Sequence, residues 1–104
     1  MTPKEVLIRG KERLERGWCR ETSARDASGN HSYPESPDAV SFCVFGAMHE
    51  REDPYASDRA RELIRRVLGA KLGDGAIASY NDTPGRTKEE ILTLVGKAIN
   101  LAEG

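Results

Sequence analysis

The fold class of this chain is decided by residues 87–102, TKEEILTLVGKAINLA. Thr87 and Glu90 have the spacing of a capping box, in which the Thr hydroxyl accepts from the Glu amide and the Glu carboxylate accepts from the Thr amide. Apolar residues then recur at helical spacing, as the buried face of an α-helix requires. They are Ile91, Leu92, Leu94, Val95, Ala98, Ile99 and Ala102. The stretch therefore predicts a helix with one side in the core.

Two other stretches carry similar helix signals. Residues 2–5, TPKE, are a second capping box with Pro3 at the first helical position, and Gly17 is a suitable stop. The apolar positions of this first helix are Val6, Leu7, Gly10 and Leu14. Another helix is predicted to start at Ser57-Asp58 and to end near Gly69. Its stripe, the clearest amphipathic one in the chain, contains Ala60, Leu63, Ile64, Val67 and Leu68.

Residues 36–48 are predicted to form the central and most buried helix. Ser36 is a suitable cap and Pro37 a suitable first residue. The run that follows is apolar nearly all round, which is typical of a helix surrounded by protein. It contains Ala39, Val40, Phe42, Cys43, Val44, Phe45, Ala47 and Met48. Gly46 within it is expected to let a neighbouring helix approach closely.

The remaining segments are predicted to be loops. Residues 18–36 are rich in turn formers, and residues 26–30 have the composition of a tight turn that can close a short β-hairpin. Residues 69–86 hold five glycines or prolines around a short apolar patch and predict a loop with one helical turn. The sequence thus predicts an all-α fold: one domain, residues 1–104, of four helices with a long 18–36 loop that has room for a minor hairpin.

Composition excludes several classes of protein. The 104 residues include 16 basic and 17 acidic side chains, a net charge of −1, whereas a general nucleic-acid binder normally has a strong basic excess. No apolar run approaches the roughly 18 residues of a membrane span, and the first residues lack the apolar core of a secretory signal. We therefore expect no membrane association and a cytoplasmic location, where Cys19 and Cys43 are reduced thiols.

Catalytic and metal-binding patterns are not evident. Cys19, His31, Cys43 and His49 form no local Cys or His pair that would prepare a tetrahedral site, so no metal and no cofactor is predicted. Cys19 could act as a nucleophile with a histidine base, but packing beside Trp18 is the favoured interpretation. Phosphate-binding and hydrolase motifs are absent as well. No catalytic residue is predicted, and the chain is interpreted as leaning away from an enzyme.

Two groups of polar residues are candidates for function. The first is a polar cluster of Asp26, Tyr80, Asn81, Asp82 and Arg86. These side chains suit a small binding pocket, but they suit a helix cap that fastens two loops together even better. The second group is Arg61 and Arg65 on the helix after Ser57, which suit a protein or phosphate contact, although a charged face is usually only a solvated face.

Three motifs resemble a known family. They are Trp18-Cys19 leading to Asp26 and Gly29; Ala39 followed by residues 42–47, FCVFGA; and residues 80–87, YNDTPGRT. In that order they resemble a family of small uncharacterised proteins of bacteria and their phages, many of which have Trp where this chain has Tyr80. The resemblance assigns no catalytic residue. It implies an accessory or mobile-element protein, and such small proteins often act by binding host proteins.

The predicted function is therefore a non-enzymatic module that binds a protein partner. A phage or mobile-element inhibitor of a host defence system, such as an anti-CRISPR protein, is one specific form of it. The alternative is a small enzyme or ligand-binding protein whose pocket is built from the polar cluster around Asp26. A transcriptional regulator is the weakest alternative, because no basic recognition helix is present. The sequence leaves the oligomeric state open.

Overall fold

A computed structural model describes residues 1–69 and 75–102. Within them the chain forms five α-helices and three two-residue strands. In chain order these are α1 (Pro3–Arg16), β1 (Ala24–Arg25), β2 (His31–Ser32), β3 (Ser41–Phe42), α2 (Val44–Ala47), α3 (Pro54–Leu68), α4 (Gly75–Asp82) and α5 (Lys88–Leu101). The predicted, mostly helical architecture is confirmed, and the structure adds a fifth helix and a small sheet.

The core lies between the three long helices, α1, α3 and α5, which pack against one another. Each helix contributes the apolar face that its sequence periodicity predicts. The fully buried side chains include Val6 and Leu7 of α1, Ile64 of α3, and Ile91 and Val95 of α5. Burial of apolar side chains of this size stabilises a fold by about 1.5–3 kcal/mol each. The three-helix core is therefore the platform on which the shorter elements are placed.

Both predicted capping boxes are confirmed. At the start of α1, the Thr2 amide donates to Glu5 Oε1 at 2.8 Å and the Glu5 amide donates to Thr2 Oγ1 at 3.1 Å. At the start of α5, the corresponding distances between Thr87 and Glu90 are 2.9 and 3.2 Å. These bonds pair amides that a helix start would otherwise leave unpaired, so both starts could be read from the sequence.

Helix α3 begins earlier than predicted. Asp53 is its cap, with Oδ1 accepting from the Ala56 amide at 3.1 Å, and Pro54 occupies the first helical position. The hydroxyl of Ser57, the predicted start, instead accepts from the Glu50 amide at 2.9 Å. The helix ends as predicted at Gly69, whose φ of +69° is the left-handed conformation that glycine adopts readily.

The prediction of a central helix over residues 36–48 is wrong. Ser36 and Asp38 form a local turn, in which the Ser36 hydroxyl donates to Asp38 Oδ1 at 2.7 Å. The chain then enters strand β3, and helix formation begins only after Cys43, giving the four-residue α2. Asp38 also accepts from the Ser32 hydroxyl, which ties the turn to β2, and Phe42 is held by pairing with Ala24 and Trp18, which are distant in the sequence.

The three strands form one antiparallel sheet in the order β2-β1-β3. Ala24 of β1 pairs with Ser32 on one side and with Phe42 on the other. The predicted hairpin between β1 and β2 is confirmed. Its turn is closed by the Asp26 amide, which donates to the Asn30 carbonyl at 2.9 Å. Strand β3 was not predicted, and its Phe42 also forms a parallel bridge with Trp18.

The predicted loop over residues 69–86 contains a real helix, α4, over Gly75–Asp82. Ile77 and Asn81 lie one turn apart on its buried side. A single apolar residue and an amide make a weak stripe, which is why the periodicity did not reveal the helix. Residues 70–74 of the predicted loop lie outside the described residues. Among the helices of residues 1–69 and 75–102, none combines the length and apolar character needed to cross a membrane.

Gly46 permits a close approach, but its neighbour is a loop and not the helix that we expected. A Cβ atom at Gly46 would lie 2.2 Å from the carbonyl oxygen of Ser23 and 2.9 Å from its carbonyl carbon. Both are backbone atoms and cannot rotate away. The contact locks α2 against the segment that leads into β1, so only glycine fits at position 46.

We predict that Gly46→Ala lowers the free energy of unfolding by about 3 kcal/mol, because the backbone of α2 or of Ser23 must shift. The matched control is Gly96→Ala in α5, where an added Cβ would meet nothing within 4 Å. There, alanine should stabilise the chain by up to about 1 kcal/mol. Urea unfolding followed by circular dichroism measures both changes. A Gly46→Ala variant as stable as the unmodified protein would contradict the packing described here.

Candidate functional site

The side chain of Asn81, in the last turn of α4, is buried, with 1% of its surface exposed. Its oxygen accepts hydrogen bonds from the indole Nε1 of Trp18 at 2.8 Å and from the backbone amide of Val44 at 3.0 Å. Its nitrogen donates to the carbonyl of Cys19 at 3.1 Å and to Asp82 Oδ1 at 2.8 Å. The amide uses all four of its hydrogen-bonding positions. It joins the segment after α1, the start of α2 and the end of α4.

Asp82 extends this network to the surface. Its Oδ1 also accepts from the backbone amide of Glu21 at 3.0 Å. Glu21 has a φ of +68°, the only positive φ outside glycine in the part of the chain that the structure describes. That conformation costs of order 1–3 kcal/mol for a residue with a side chain. The bond to Asp82 helps to hold the tight turn at Glu21 in place.

Tyr80 and Arg86 form a second pair beside the Asn81 network. The Arg86 guanidinium lies 3.6 Å from the centroid of the Tyr80 ring, and its Nε donates to the Tyr80 carbonyl at 3.0 Å. Arg86 also forms an ion pair with Glu90 at 3.1 Å. The Arg86 carbonyl accepts from the Arg20 guanidinium. The predicted role of these residues in fastening loops to a helix end describes these contacts well.

Asp26 lies in the hairpin turn and not in the Asn81 network. Its Oδ1 accepts from the backbone amides of Ser28 and Asn30, each at 2.9 Å. These bonds allow the turn to form, together with Gly29 at a φ of +85°. The structure therefore brings together four of the five residues of the predicted polar cluster, in two pairs, and places the fifth in a turn of its own.

A cleft of about 240 Å³ opens next to the Asn81 network. Of the predicted cluster, only Asn81 and Asp82 line it. The other lining residues are Glu21, Thr22, Ser23, Cys43, Phe45 and Ala78. Because the Asn81 amide is fully engaged by protein groups, this cleft offers a ligand few free polar atoms from the predicted set.

Neither thiol has the surroundings of an activated nucleophile. Burial raises the pKa of the Cys19 thiol and that of the Cys43 thiol, which disfavours the reactive thiolate. His31 Nδ1 bonds with the Thr22 hydroxyl. His49 Nε2 makes no hydrogen bond within the described residues and lies 3.5 Å from a carboxylate oxygen of Glu35. Among residues 1–69 and 75–102, no three Cys, His, Asp or Glu side chains are grouped to hold a metal ion.

A different surface carries exposed apolar groups, where the start of α1, the start of α3 and the end of α5 meet. A groove of about 440 Å³ there is lined by Met1, Tyr55, Arg59, Arg66 and Leu101, which we call the Tyr55 face, together with Pro3, Ala56, Leu63 and Ala102. Tyr55 is 71% exposed. Arg59 Nη1 donates to the Tyr55 hydroxyl at 3.2 Å, and its guanidinium lies 5.9 Å from the ring centroid. The tyrosine ring is thus oriented although it is exposed.

Arg61 and Arg65, the predicted interface residues, lie elsewhere on α3. Arg61 is 7% exposed. Its guanidinium is 3.7 Å from the centroid of the Phe45 ring and donates to the Phe45 carbonyl from Nε at 3.3 Å and from Nη2 at 3.0 Å. Arg65 is half-buried, and its carbonyl accepts from the Gly69 amide at the helix end. Arg61 therefore packs α2 onto α3, and the side chains of Arg59 and Arg66 are the more exposed ones.

Two residues that matter here, Trp18 and Tyr55, were not among the predicted site residues. Trp18 is the indole donor to Asn81, and its signal was present because a buried indole N–H generally needs an acceptor. Tyr55 had no such signal, because a single aromatic residue at a helix start does not reveal whether it faces the core or solvent.

The comparisons with known proteins identify a family but no function. Residues 1–101 match the model of a family of unknown function, DUF6197. This confirms the expected resemblance to a family without an assigned activity. No curated protein and no solved structure matches the chain.

We predict that Asn81→Leu lowers the free energy of unfolding by roughly 3 kcal/mol or more, because each buried group left without its partner costs about 1–3 kcal/mol. Trp18, the only tryptophan of the chain, should show a changed emission spectrum in the folded variant. The control is Asn100→Leu on the exposed side of α5, which we expect to stay within about 0.5 kcal/mol of the unmodified protein. If both variants are equally stable in urea unfolding, the Asn81 network is not a structural centre.

Proposed function

We propose that this chain, which belongs to DUF6197, a family of unknown function, is a non-enzymatic module that binds a protein partner through the Tyr55 face. One observation carries the proposal. Of the six large apolar residues exposed in the described part of the chain, three line a single groove: Met1, Tyr55 and Leu101. Single exposed apolar residues are ordinary, whereas a cluster in one groove is typical of an interaction site.

The chemistry of this face suits a protein partner. Tyrosine and arginine are enriched among the residues that dominate binding energy at protein interfaces. Arg59 fixes the orientation of the Tyr55 ring, so the ring would lose little conformational entropy on binding. Arg59 and Arg66 both pair with Glu62, at 3.3 and 3.7 Å, which leaves the rim with a net positive charge. We therefore propose a partner that inserts an apolar side chain into the groove and presents acidic side chains around it.

The alternative of a small enzyme or ligand-binding protein has less support. A binding pocket would need the predicted polar side chains to converge on a cleft with free hydrogen-bonding atoms. Instead, Asn81 is fully hydrogen-bonded inside the protein, Asp26 lies in its own turn, and Arg86 covers the Tyr80 ring. These contacts favour a structural role for the polar cluster, and they leave the outer face of α3 as the better candidate for binding.

We further propose that the module acts in the cytoplasm as an accessory protein of a phage or mobile element. Inhibition of a host defence system, in the manner of an anti-CRISPR protein, is one specific form of this role. The resemblance built on Trp18-Cys19, residues 42–47 and residues 80–87 supports this context. The small size and the net charge of −1 also fit a protein that acts by occupying a surface of a larger complex.

Affinity capture with matched variants tests the binding proposal. The bait carrying Tyr55→Ala should bind its partner at least about 30-fold more weakly, because a dominant interface residue contributes about 2 kcal/mol or more. Arg59→Glu should also weaken binding by reversing the charge of the rim. The control is Tyr33→Ala, at another exposed tyrosine, 62% exposed and outside the groove.

A photoreactive amino acid placed at position 55, and separately at position 33, would locate the contact in the same lysate. We expect a specific cross-link from position 55 alone. Equal binding by the Tyr55→Ala bait, or a partner that cross-links only to position 33, would contradict the assignment of the face. Recovery of no specific partner by the unmodified bait would contradict the proposed function as a whole.

A plating assay tests the proposed inhibition of host defence. Expression of the chain in a host whose CRISPR system restricts a phage should restore plaque formation, and Tyr55→Ala should lose that effect. Tyr33→Ala should retain it. Restriction that is unchanged by the chain would contradict the anti-CRISPR form and leave the binding function to the capture experiment.

A further inference from the structure

Each of the two cysteines of the chain directly follows one residue of a bridged pair at the edge of the sheet. Trp18 and Phe42 form a parallel bridge. The Phe42 amide donates to the Gly17 carbonyl at 3.0 Å, and the Cys19 amide donates to the Phe42 carbonyl at 3.0 Å. A cysteine follows each bridged residue: Cys19 follows Trp18, and Cys43, the cap of α2, follows Phe42. The amide nitrogens of both cysteines therefore lie next to the Phe42 carbonyl oxygen, Cys43 through its peptide bond and Cys19 through its hydrogen bond.

Two residues that directly follow a bridged pair in parallel are within reach of a disulfide bond. Paired strands lie about 4.7–4.9 Å apart, and a disulfide needs a Cα–Cα separation of about 4.4–6.8 Å. Both cysteines are free thiols. Burial is the main cause of the raised pKa of Cys43, and the charge of a Cys19 thiolate raises that pKa further.

The present contacts of the two sulfur atoms are weak ones. Cys43 Sγ accepts from the Gly46 amide at 3.3 Å, and Cys19 Sγ donates to the Thr22 carbonyl at 3.7 Å. Rotation about the Cα–Cβ bonds can turn each sulfur towards the other. Cys43 lines the 240 Å³ cleft, which is large enough for a molecule the size of water, whereas Cys19 is buried. Cys43 is thus the thiol that a small oxidant meets first.

We propose that Cys19 and Cys43 are a modification site, at which a peroxide converts the two thiols into a reversible intramolecular disulfide. The Cys43 thiolate attacks one peroxide oxygen; the S–O bond forms, the O–O bond breaks, and the leaving hydroxide takes up the thiol proton to become water. The Cys19 thiolate then attacks the Cys43 sulfur; the S–S bond forms, the S–O bond breaks, and the departing hydroxide takes up the Cys19 proton. Two thiols are oxidised, and one peroxide is reduced to two waters.

The bond fastens the segment from Cys19 to Ser23 onto the end of β3. When Cys43 Sγ turns towards Cys19, the hydrogen bond that the Gly46 amide donates to this sulfur at the start of α2 is lost. Because burial raises the pKa of both thiols, the reaction is slow at neutral pH and needs sustained peroxide exposure. Dithiol reductants reverse it. This inference is independent of the proposed protein partner.

Peptide mapping of the full chain tests the proposal. After treatment of the native protein with hydrogen peroxide, the mass of the intact chain should fall by that of two hydrogens. No covalent link between two chains should form. Trypsin cleaves after Arg20 and Arg25 and separates the two cysteines, so a linked pair of peptides identifies the bond. Dithiothreitol should release the pair, and the oxidised protein should have a higher Tm because the cross-link restricts the unfolded chain.

Two variants assign the order of reaction. In Cys19→Ser, peroxide should leave a sulfenic acid on Cys43 that dimedone captures, and in Cys43→Ser the Cys19 thiol should stay reduced. Circular dichroism shows whether each variant is folded, and the mapping of the unmodified chain decides the proposal if either is not. Two thiols that are still alkylated after peroxide, a cross-link only between chains, or a sulfinic acid on Cys43 beside a free Cys19 would overturn it.

Discussion

A buried amide must have each of its donors and acceptors paired, and the Asn81 side chain meets this requirement by joining three separate segments of the chain. It binds the indole of Trp18, the carbonyl of Cys19 and the amide of Val44 at once. Loss of any one partner leaves a buried polar atom that costs about 1–3 kcal/mol, so the three chain segments are fixed together. Strands of two residues and a helix of four are too short to persist alone. They persist because this network attaches them to the three-helix core.

Local signals were enough to predict the long helices, but not the elements around Asn81. The starts of α1 and α5 follow from capping boxes whose partners are three residues apart, and the ends at Gly17 and Gly69 follow from single residues. The region of residues 36–48 has helical composition, yet its structure depends on pairing with distant Trp18 and Ala24. Such pairings have no signature in one sequence. Helix α4 was also not predicted, because one of its two buried residues is the polar Asn81, which weakens the apolar periodicity.

The candidate residues show the same difference between local signals and long-range contacts. Asn81 and Asp82 were found together because they are neighbours in the sequence, whereas Asp26 was grouped with them without any local reason and lies in a separate turn. Arg61 and Arg59 belong to one helix, and the choice of the exposed one depends on helix phase. The buried positions Ala60 and Ile64 turn Arg61 towards Phe45 and leave Arg59 at the groove with Tyr55. Polar chemistry is thus used inside the molecule, and the exposed aromatic and cationic groups lie together at the groove.

We expect the Asn81 amide to stay hydrogen-bonded as long as the fold is intact. Hydrogen exchange measured by NMR on the Trp18 indole N–H and the Asn81 side-chain N–H groups tests it most directly. These protons should exchange only through global unfolding, with the same free energy of opening as backbone amides in the middle of α1 and α5. Rapid exchange of the Trp18 indole and Asn81 protons, while the amides of α1 and α5 remain protected, would contradict it.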